Sequence, residues 1–172
     1  MELYEAIRTR RSVRAYEDRP IPEDVLMRVM EAARLAPSAR NLQPWKFILV
    51  TDPELRRQVA EAANGQMFIA TAPVIIAGVA LEPAHVMSCE VPAYAVNLGI
   101  AMEHIALAAA AEGLGTCWIG AFSQSKVKEI LKVPEPYKIV ELMPLGYPKE
   151  GSAMTRRPRK SLDEIICYDT FK

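Results

Sequence analysis

The sequence predicts one domain, residues 1–172, that mixes helices with short strands, and three patterns carry the prediction. Leu26, Val29, Met30 and Ala33 recur at i, i+3, i+4 and i+7, the spacing of one buried helix face. Lys46–Thr51 and Pro73–Val79 are short apolar runs rich in β-branched residues, as buried strands are. Ala93 to Ala111 is apolar nearly all round, so a helix there needs cover on most sides.

The remaining elements follow in order. Leu3, Ala6 and Ile7 stand at helical spacing between Leu3 and Arg10, and Pro20 and Pro22 stop any continuation. Pro22 with Glu23 and Asp24 suits a helix first turn, because the ring pre-sets φ and acids meet the positive end of the dipole. That helix ends before Pro37. After the strand at Lys46–Thr51, Asp52 and Pro53 open a charged helix carrying Leu55, Val59 and Ala62. Further strands are expected at Thr116–Gly120 and Ile139–Met143, with helices in the gaps. Glu150 to Arg159, with Gly151, Ser152 and Pro158, reads as irregular chain over the surface. Within Ala93–Ala111, Asn97, Glu103 and His104 argue for a buried helix rather than a bilayer span. A partner subunit is one source of its cover, and a sandwiched position inside one subunit is the other.

Twenty-one basic and twenty-one acidic side chains cancel, which excludes a global field that would steer the chain to nucleic acid or an anionic membrane. Any anion site must therefore be local. Cys89, Cys117 and Cys167 are odd in number and lack a Cys-x-x-Cys spacing, so a reducing, cytoplasmic setting is expected. The start at Met1 and Glu2 carries no apolar core of signal-peptide length, and secretion by that route is not expected.

Arg10, Arg11 and Arg14 flank Ser12 where a helix should end, offering guanidinium forks and a hydroxyl to an anion with several acceptor oxygens, such as phosphate. Arg156, Arg157, Arg159 and Lys160 form a second basic cluster near the other end of the chain. Taken alone, such clusters are more often idle solvated faces. Pro37 to Trp45 is a loop rich in amide and hydroxyl groups, which either binds a ligand or merely stops a helix with Ser38 and Asn41 bonding their own backbone. Gly113 to Gly120 is glycine-punctuated where a strand begins, which lets backbone amides approach a flat ligand. His85 and Cys89 stand four apart, but a closed zinc site needs four ligands and no second pair joins them. Cys117 lies in an apolar run and reads as an inert core thiol.

Together these blocks resemble the nitroreductase family of FMN enzymes, over nearly the whole chain and in the expected order. The likeness rests on Arg10-Arg11-Ser12-Val13-Arg14, on Pro37-Ser38 with Asn41, Gln43, Pro44 and Trp45, on Gly113-Leu114-Gly115 with Trp118-Ile119-Gly120, and on Arg157-Pro158-Arg159-Lys160. The resemblance implies an α+β fold: a three-layer α/β/α sandwich with a mixed, mainly antiparallel sheet, assembled as an intertwined homodimer with FMN at the subunit interface. It implies that Arg10, Arg11, Ser12 and Arg14 hold the phosphate, the ribityl chain and the pyrimidine edge, with Arg157 and Arg159 completing the phosphate site. Pro37, Ser38, Ala39 and Asn41 would reach the ring from the other subunit. Gln66, or less directly Asn64, would supply a polar contact, and Ile119 and Gly120 would lie beside the ring, where a backbone N–H faces N5.

The implied activity is hydride transfer from NADH or NADPH through flavin N5 to a nitroaromatic, a quinone or a related small-molecule acceptor, in a ping-pong cycle that asks no side-chain acid of the protein. Arg14, near the pyrimidine edge, would favour the anionic reduced ring. Two departures bear on substrate: Asn97 stands where many members open the long helix with an acid, and Ala80 to Pro92 leaves little room for substrate-shaping helices. The alternatives are a flavin-binding or electron-transfer module without a turnover substrate, a flavin-dependent dehalogenase or flavin-fragmenting enzyme, and a phosphate or nucleotide sensor.

Overall fold

The computed structural model describes residues 1–151 and 158–171. Helices α1 (Leu3–Thr9) and α2 (Glu23–Arg34) precede strand β1 (Trp45–Val50). Helices α3 (Pro53–Ala62) and α4 (Phe68–Thr71) lead to β2 (Val74–Ala80), and α5 (Ala93–Ala111), β3 (Gly115–Thr116), α6 (Gln124–Ile130) and β4 (Lys138–Gly146) complete the order. Local chemistry explains several boundaries. Asp52 caps α3 by accepting a 2.8 Å bond from Leu55 N–H, with Pro53 at the first helical position.

Four strands form one sheet in the order β1-β2-β4-β3, and all of its ladders are antiparallel. The expected parallel component shrinks to one isolated bridge, Ser12 to Thr116. Side chains of β2 alternate between the sheet faces, which assembles the sandwich. Ile75, Ala77 and Val79 pack with Val59 of α3, Ile69 of α4 and Val127 of α6. Val74 and Ile76 pack with Val29 and Ala33 of α2 and with Met102, Ile105 and Ala109 of α5. Helices thus cover both faces of the α+β sandwich.

The expected strand at Thr116–Gly120 is broken. β3 ends at Thr116, and contact with β4 resumes at Ile119, which exchanges bonds of 2.9 and 3.1 Å with Leu142. The register does not slip, since Thr116 faces Leu145 and Ile119 faces Leu142. Cys117 therefore falls opposite Pro144, whose nitrogen carries no hydrogen to donate. β4 in turn is longer than the expected Ile139–Met143, because Pro144 still packs within it and Leu145 and Gly146 pair with β3.

The segment after α1 is extended chain. It is fastened to the sheet at Ser12–Thr116 and Tyr16–Pro148, with Val13 and Tyr16 buried and Ser12 and Arg14 exposed. Close approach is possible because position 115 is glycine: a Cβ there would lie 2.5 Å from Val13 Cγ2. Gly115→Ala should therefore lower stability by about 1–3 kcal/mol. Chemical denaturation of both proteins checks this, and an unchanged midpoint would mean that Val13 can withdraw freely.

Candidate functional site

Two groups of chemistry-bearing residues converge on the β3 edge of the sheet, and a third lies away from it. The first is the basic segment. Val13 N–H donates to Thr116 O at 2.8 Å, and the buried Tyr16 hydroxyl donates to Val13 O at 2.8 Å, so the backbone between Arg10 and Tyr16 is fixed from both sides. Burial pushes the Tyr16 hydroxyl well above its ordinary range, which keeps it a neutral donor. Arg10 reaches Glu103 of α5 at 3.7 Å. Arg11 turns back on its own helix and donates to the carbonyls of Arg8 and Arg10, at 2.6 and 2.7 Å, as a C-terminal cap. Ser12 and Arg14 face outward. A cavity of about 140 Å³ lies behind the segment, lined by Arg10, Arg11, Val13, Ala106 and Thr116 among others.

The second group is the stretch 117–121. Ile119 spends its N–H on Leu142, whereas Gly120 N–H has no hydrogen-bond partner among the described residues, and nothing stands within 4 Å of where its Cβ would be. Gln66 is brought to this stretch, donating to Ala121 O at 3.1 Å and to Ala63 O at 2.9 Å. Asn64, in contrast, is exposed with φ at +58°. Cys117 is buried, and burial raises its thiol pKa although Arg14, Ser12 and Arg10 pull it the other way. Those neighbours come from the basic segment, distant in sequence.

The third group, the 37–43 loop, stands apart. Arg40, Asn41 and Gln43 adopt left-handed φ of 54°, 55° and 50°, conformations that cost on the order of 1 kcal/mol each. Two side chains hold the loop in shape: Ser38 Oγ accepts from Gln43 N–H at 2.9 Å, and Asn97 Oδ1 on α5 accepts from Ala39 N–H at 3.0 Å. Among the described residues no hydrogen bond or ion pair links this loop to the basic segment or to Ile119 and Gly120. Pro37 and Asn41 are exposed, and Ser38 and Ala39 half-buried. Arg159 lies in the exposed segment 158–171, and Arg157 falls outside the described residues. Among the described residues no cluster of three His, Cys, Asp or Glu is arranged to hold a metal.

The geometry adds residues that sequence reasoning passed over. Glu103 accepts from Trp118 Nε1 at 3.2 Å while pairing with Arg10, so one α5 carboxylate ties both groups together. Glu141 on β4 is 3% exposed, and neither of its oxygens has a hydrogen-bond partner among the described residues. Asn97 Nδ2 is likewise buried and unpartnered. One acid inside the apolar run Ile139–Met143 was the available signal for Glu141. Orphaned buried polar atoms, outward Ser12 and Arg14, and an open Gly120 N–H suit a ligand that is anionic at one end and rich in hydrogen-bonding atoms at the other.

The nitroreductase family profile matches residues 7–80 and 69–147, a span that contains all three groups. The chain belongs to the nitroreductase family. An NADH dehydrogenase of Thermus thermophilus is 32% identical over 191 residues, covering 92% of this chain and 92% of the relative. The NAD(P)H FMN reductase of Bacillus subtilis is 30% identical over 187 residues, covering 99% of this chain and 74% of the relative. The crystal structure of a nitroreductase family protein from Clostridium novyi NT superposes with a TM-score of 0.83 at 38% identity, covering 95% of this chain and 91% of that one. In this nitroreductase fold the Ala80–Pro92 connection contains only turns and the bridge between Val86 and Pro92.

Desolvation, with a smaller push from Glu103, raises the Glu141 pKa from its ordinary 4.5 to about 9. Across that interval the folded state keeps a proton that the unfolded chain releases, so stability falls as pH rises from about 4.5 to about 9. Glu141→Gln should flatten this slope in urea titrations; parallel pH profiles for the two proteins would show that the carboxyl ionises as readily folded as unfolded.

Proposed function

We propose that this chain is one subunit of a homodimeric, FMN-dependent oxidoreductase that takes hydride from NADH or NADPH and passes it to a small-molecule acceptor. The observation that carries the reading is the pairing of the basic segment with the open Gly120 edge on a single rim of the sheet, in a family whose members include FMN and NAD(P)H reductases. When bound, FMN supplies the chemistry, accepting hydride at N5 and releasing it to the acceptor.

The protein's own residues bind and orient. Arg10, Ser12 and Arg14 would hold the phosphate end, joined by Arg157 and Arg159 from the C-terminal region. Arg11, whose guanidinium caps α1, contributes by fixing the helix end from which Arg10 and Ser12 project. Gly120 offers the N–H for the ring edge, with Ile119 holding the strand and Gln66 bracing Ala121 behind it. Pro37, Ser38, Ala39 and Asn41 would approach the ring of the opposite subunit, which explains why the loop makes no bond to the basic segment of its own chain.

Apolar surface supports the dimer. Leu3, Tyr4 and Ile7 of α1 are exposed, and so are Leu162, Ile165, Ile166 and Phe171 in the segment 158–171. An unpacked stretch with that composition needs a second surface to cover it. We place the protein in the cytoplasm, where reducing conditions keep Cys89 and Cys117 as the free thiols they are here. We treat residues 1–172 as one functional domain, since both sheet faces share the same four strands.

The purified protein should be yellow, with a flavin absorbance spectrum, sediment as a dimer, and oxidise NADH or NADPH when a nitroaromatic or quinone is added. A colourless protein that takes up no FMN would overturn the reading, and a yellow protein without turnover would favour an electron-transfer module. Arg14→Ala should weaken FMN binding about tenfold or more, the loss of one charge-assisted contact, and should reduce the preference for the anionic reduced ring. Equilibrium titration with FMN checks the first effect, and the spectrum of the reduced protein checks the second.

A further inference from the structure

Glu141 is a carboxyl group in the middle of a sheet where nothing among the described residues satisfies it. It is 3% exposed, and both oxygens lack partners among the described residues. A buried polar group in that condition costs stability that a leucine of similar size would not. Its surroundings indicate what the missing partner is.

Met143 and Leu145 of β4 face α5, whereas Leu142 faces the opposite cluster, so the alternation puts Glu141 on the α5 side; the bulge at Gly78 and Val79 resets the alternation before it, which is why Ile139 packs in the opposite cluster. Directly across the ladder on β2 is Gly78, which has no side chain to offer. On the other flank Leu142 bridges Ile119, and the residue after Ile119 is Gly120, also without a side chain and with open space before it. The carboxyl thus sits in a strip floored by two glycines, roofed near Gly78 by Leu98 and Met102. The charged group that α5 turns toward it is Glu103, whose own carboxylate is engaged by Trp118 and Arg10. From β2, Ile76, Gly78 and Ala80 bring no charge, and Trp118 and Gly120 bring none from the other side. No cation neutralises Glu141 among the described residues.

Arg10, Glu103, Trp118 and Gly120 lie along this same rim, which is the one assigned above to the cofactor. We propose that Glu141 is a redox-tuning residue of the flavin site, its carboxyl facing the bound ring from the sheet side and favouring the electron-rich reduced ring over the oxidised one. The inference rests on the flavin reading of the site. Its physical basis is direct: hydride arrival adds negative charge in a low-dielectric pocket, an O–H dipole stabilises that charge, and a carboxylate in the same place repels it.

The experiment is a redox titration of the FMN-loaded wild type, Glu141→Gln and Glu141→Leu from neutral to alkaline pH, together with infrared difference spectra of reduced against oxidised protein. Glutamine keeps a neutral hydrogen-bond donor and cannot ionise. It should match the wild type at neutral pH and stay above it at alkaline pH, where the wild-type carboxyl loses its proton. Leucine should lose about tenfold in the preference for reduced over oxidised FMN at neutral pH, a fall of about 30 mV for a two-electron couple. The wild-type difference spectrum should contain a carboxylic-acid C=O band that shifts on reduction and is missing from both variants. Coincident potentials in all three loaded proteins, or a spectrum without that band, would overturn the inference and leave the flavin reading standing. A chain that binds no FMN removes both.

Discussion

The site depends on the seating of Val13 against Gly115. Arg10, Ser12 and Arg14 belong to a short extended segment, residues 10–16, which is only two bridges wide on the sheet. It is held by two backbone bonds, Val13 N–H to Thr116 O and Lys149 N–H to Ala15 O, by the Tyr16 hydroxyl donating to Val13 O, and by the Val13 side chain inserted where a Cβ would collide. Burial of Val13 on one side then obliges its neighbours Ser12 and Arg14 to face the other. Three guanidinium groups within five residues would otherwise spread over the surface by mutual repulsion. The sheet edge converts a charged sequence into an oriented one.

Much of the fold was legible because it follows from periodicities. The α5 limits coincide with the apolar stretch Ala93–Ala111, and β1 and β2 lie within a residue of the runs that predicted them. The strand boundaries that failed, at β3 and β4, did so for non-local reasons. Nothing within Thr116–Gly120 marks the break after Thr116, since the cause is Pro144 on the neighbouring strand. The site divides the same way. Basic and amide-rich segments are recognisable by composition, and Gln66 proved to touch the 119–121 stretch. The roles of Glu103 and Glu141 were not legible, because a carboxylate's meaning depends on what surrounds it in space. Glu103 is one charge in an apolar helix until Trp118 and Arg10 are seen to meet at it. Arg11 shows the converse: its sequence context suggests an anion ligand, yet its guanidinium is occupied by two carbonyls of its own helix end.

The interrupted ladder between β3 and β4 serves the site in its own way. A continuous strand would have tied down every second N–H from Gly115 to Gly120. With Pro144 opposite Cys117, the ladder lapses for two residues and resumes at Ile119, whose N–H it uses, while Gly120 N–H points away from β4. The result is a backbone donor that is positioned by a neighbour's hydrogen bonds without being consumed by them. Gln66 supports the same stretch from α4's side by holding Ala121 O. Rigidity and availability, which usually exclude each other for a backbone amide, coexist here because Gly120 follows the bonded residue Ile119 and alternation aims its N–H away from β4.

Helix α5 carries both Asn97, which fastens the 37–43 loop, and Glu103, which meets Arg10 and Trp118. Six residues separate them, about 9 Å along the axis at 1.5 Å per residue. The helix therefore acts as a gauge that fixes the spacing between two parts of the site. Inserting or deleting one residue between 97 and 103 would turn one anchor by about 100° relative to the other and disengage it. The chain can change length cheaply in the turns of 81–92, where no such registration exists. Divergence in this fold should accordingly accumulate as loop insertions around a helix whose length between its two anchors stays fixed.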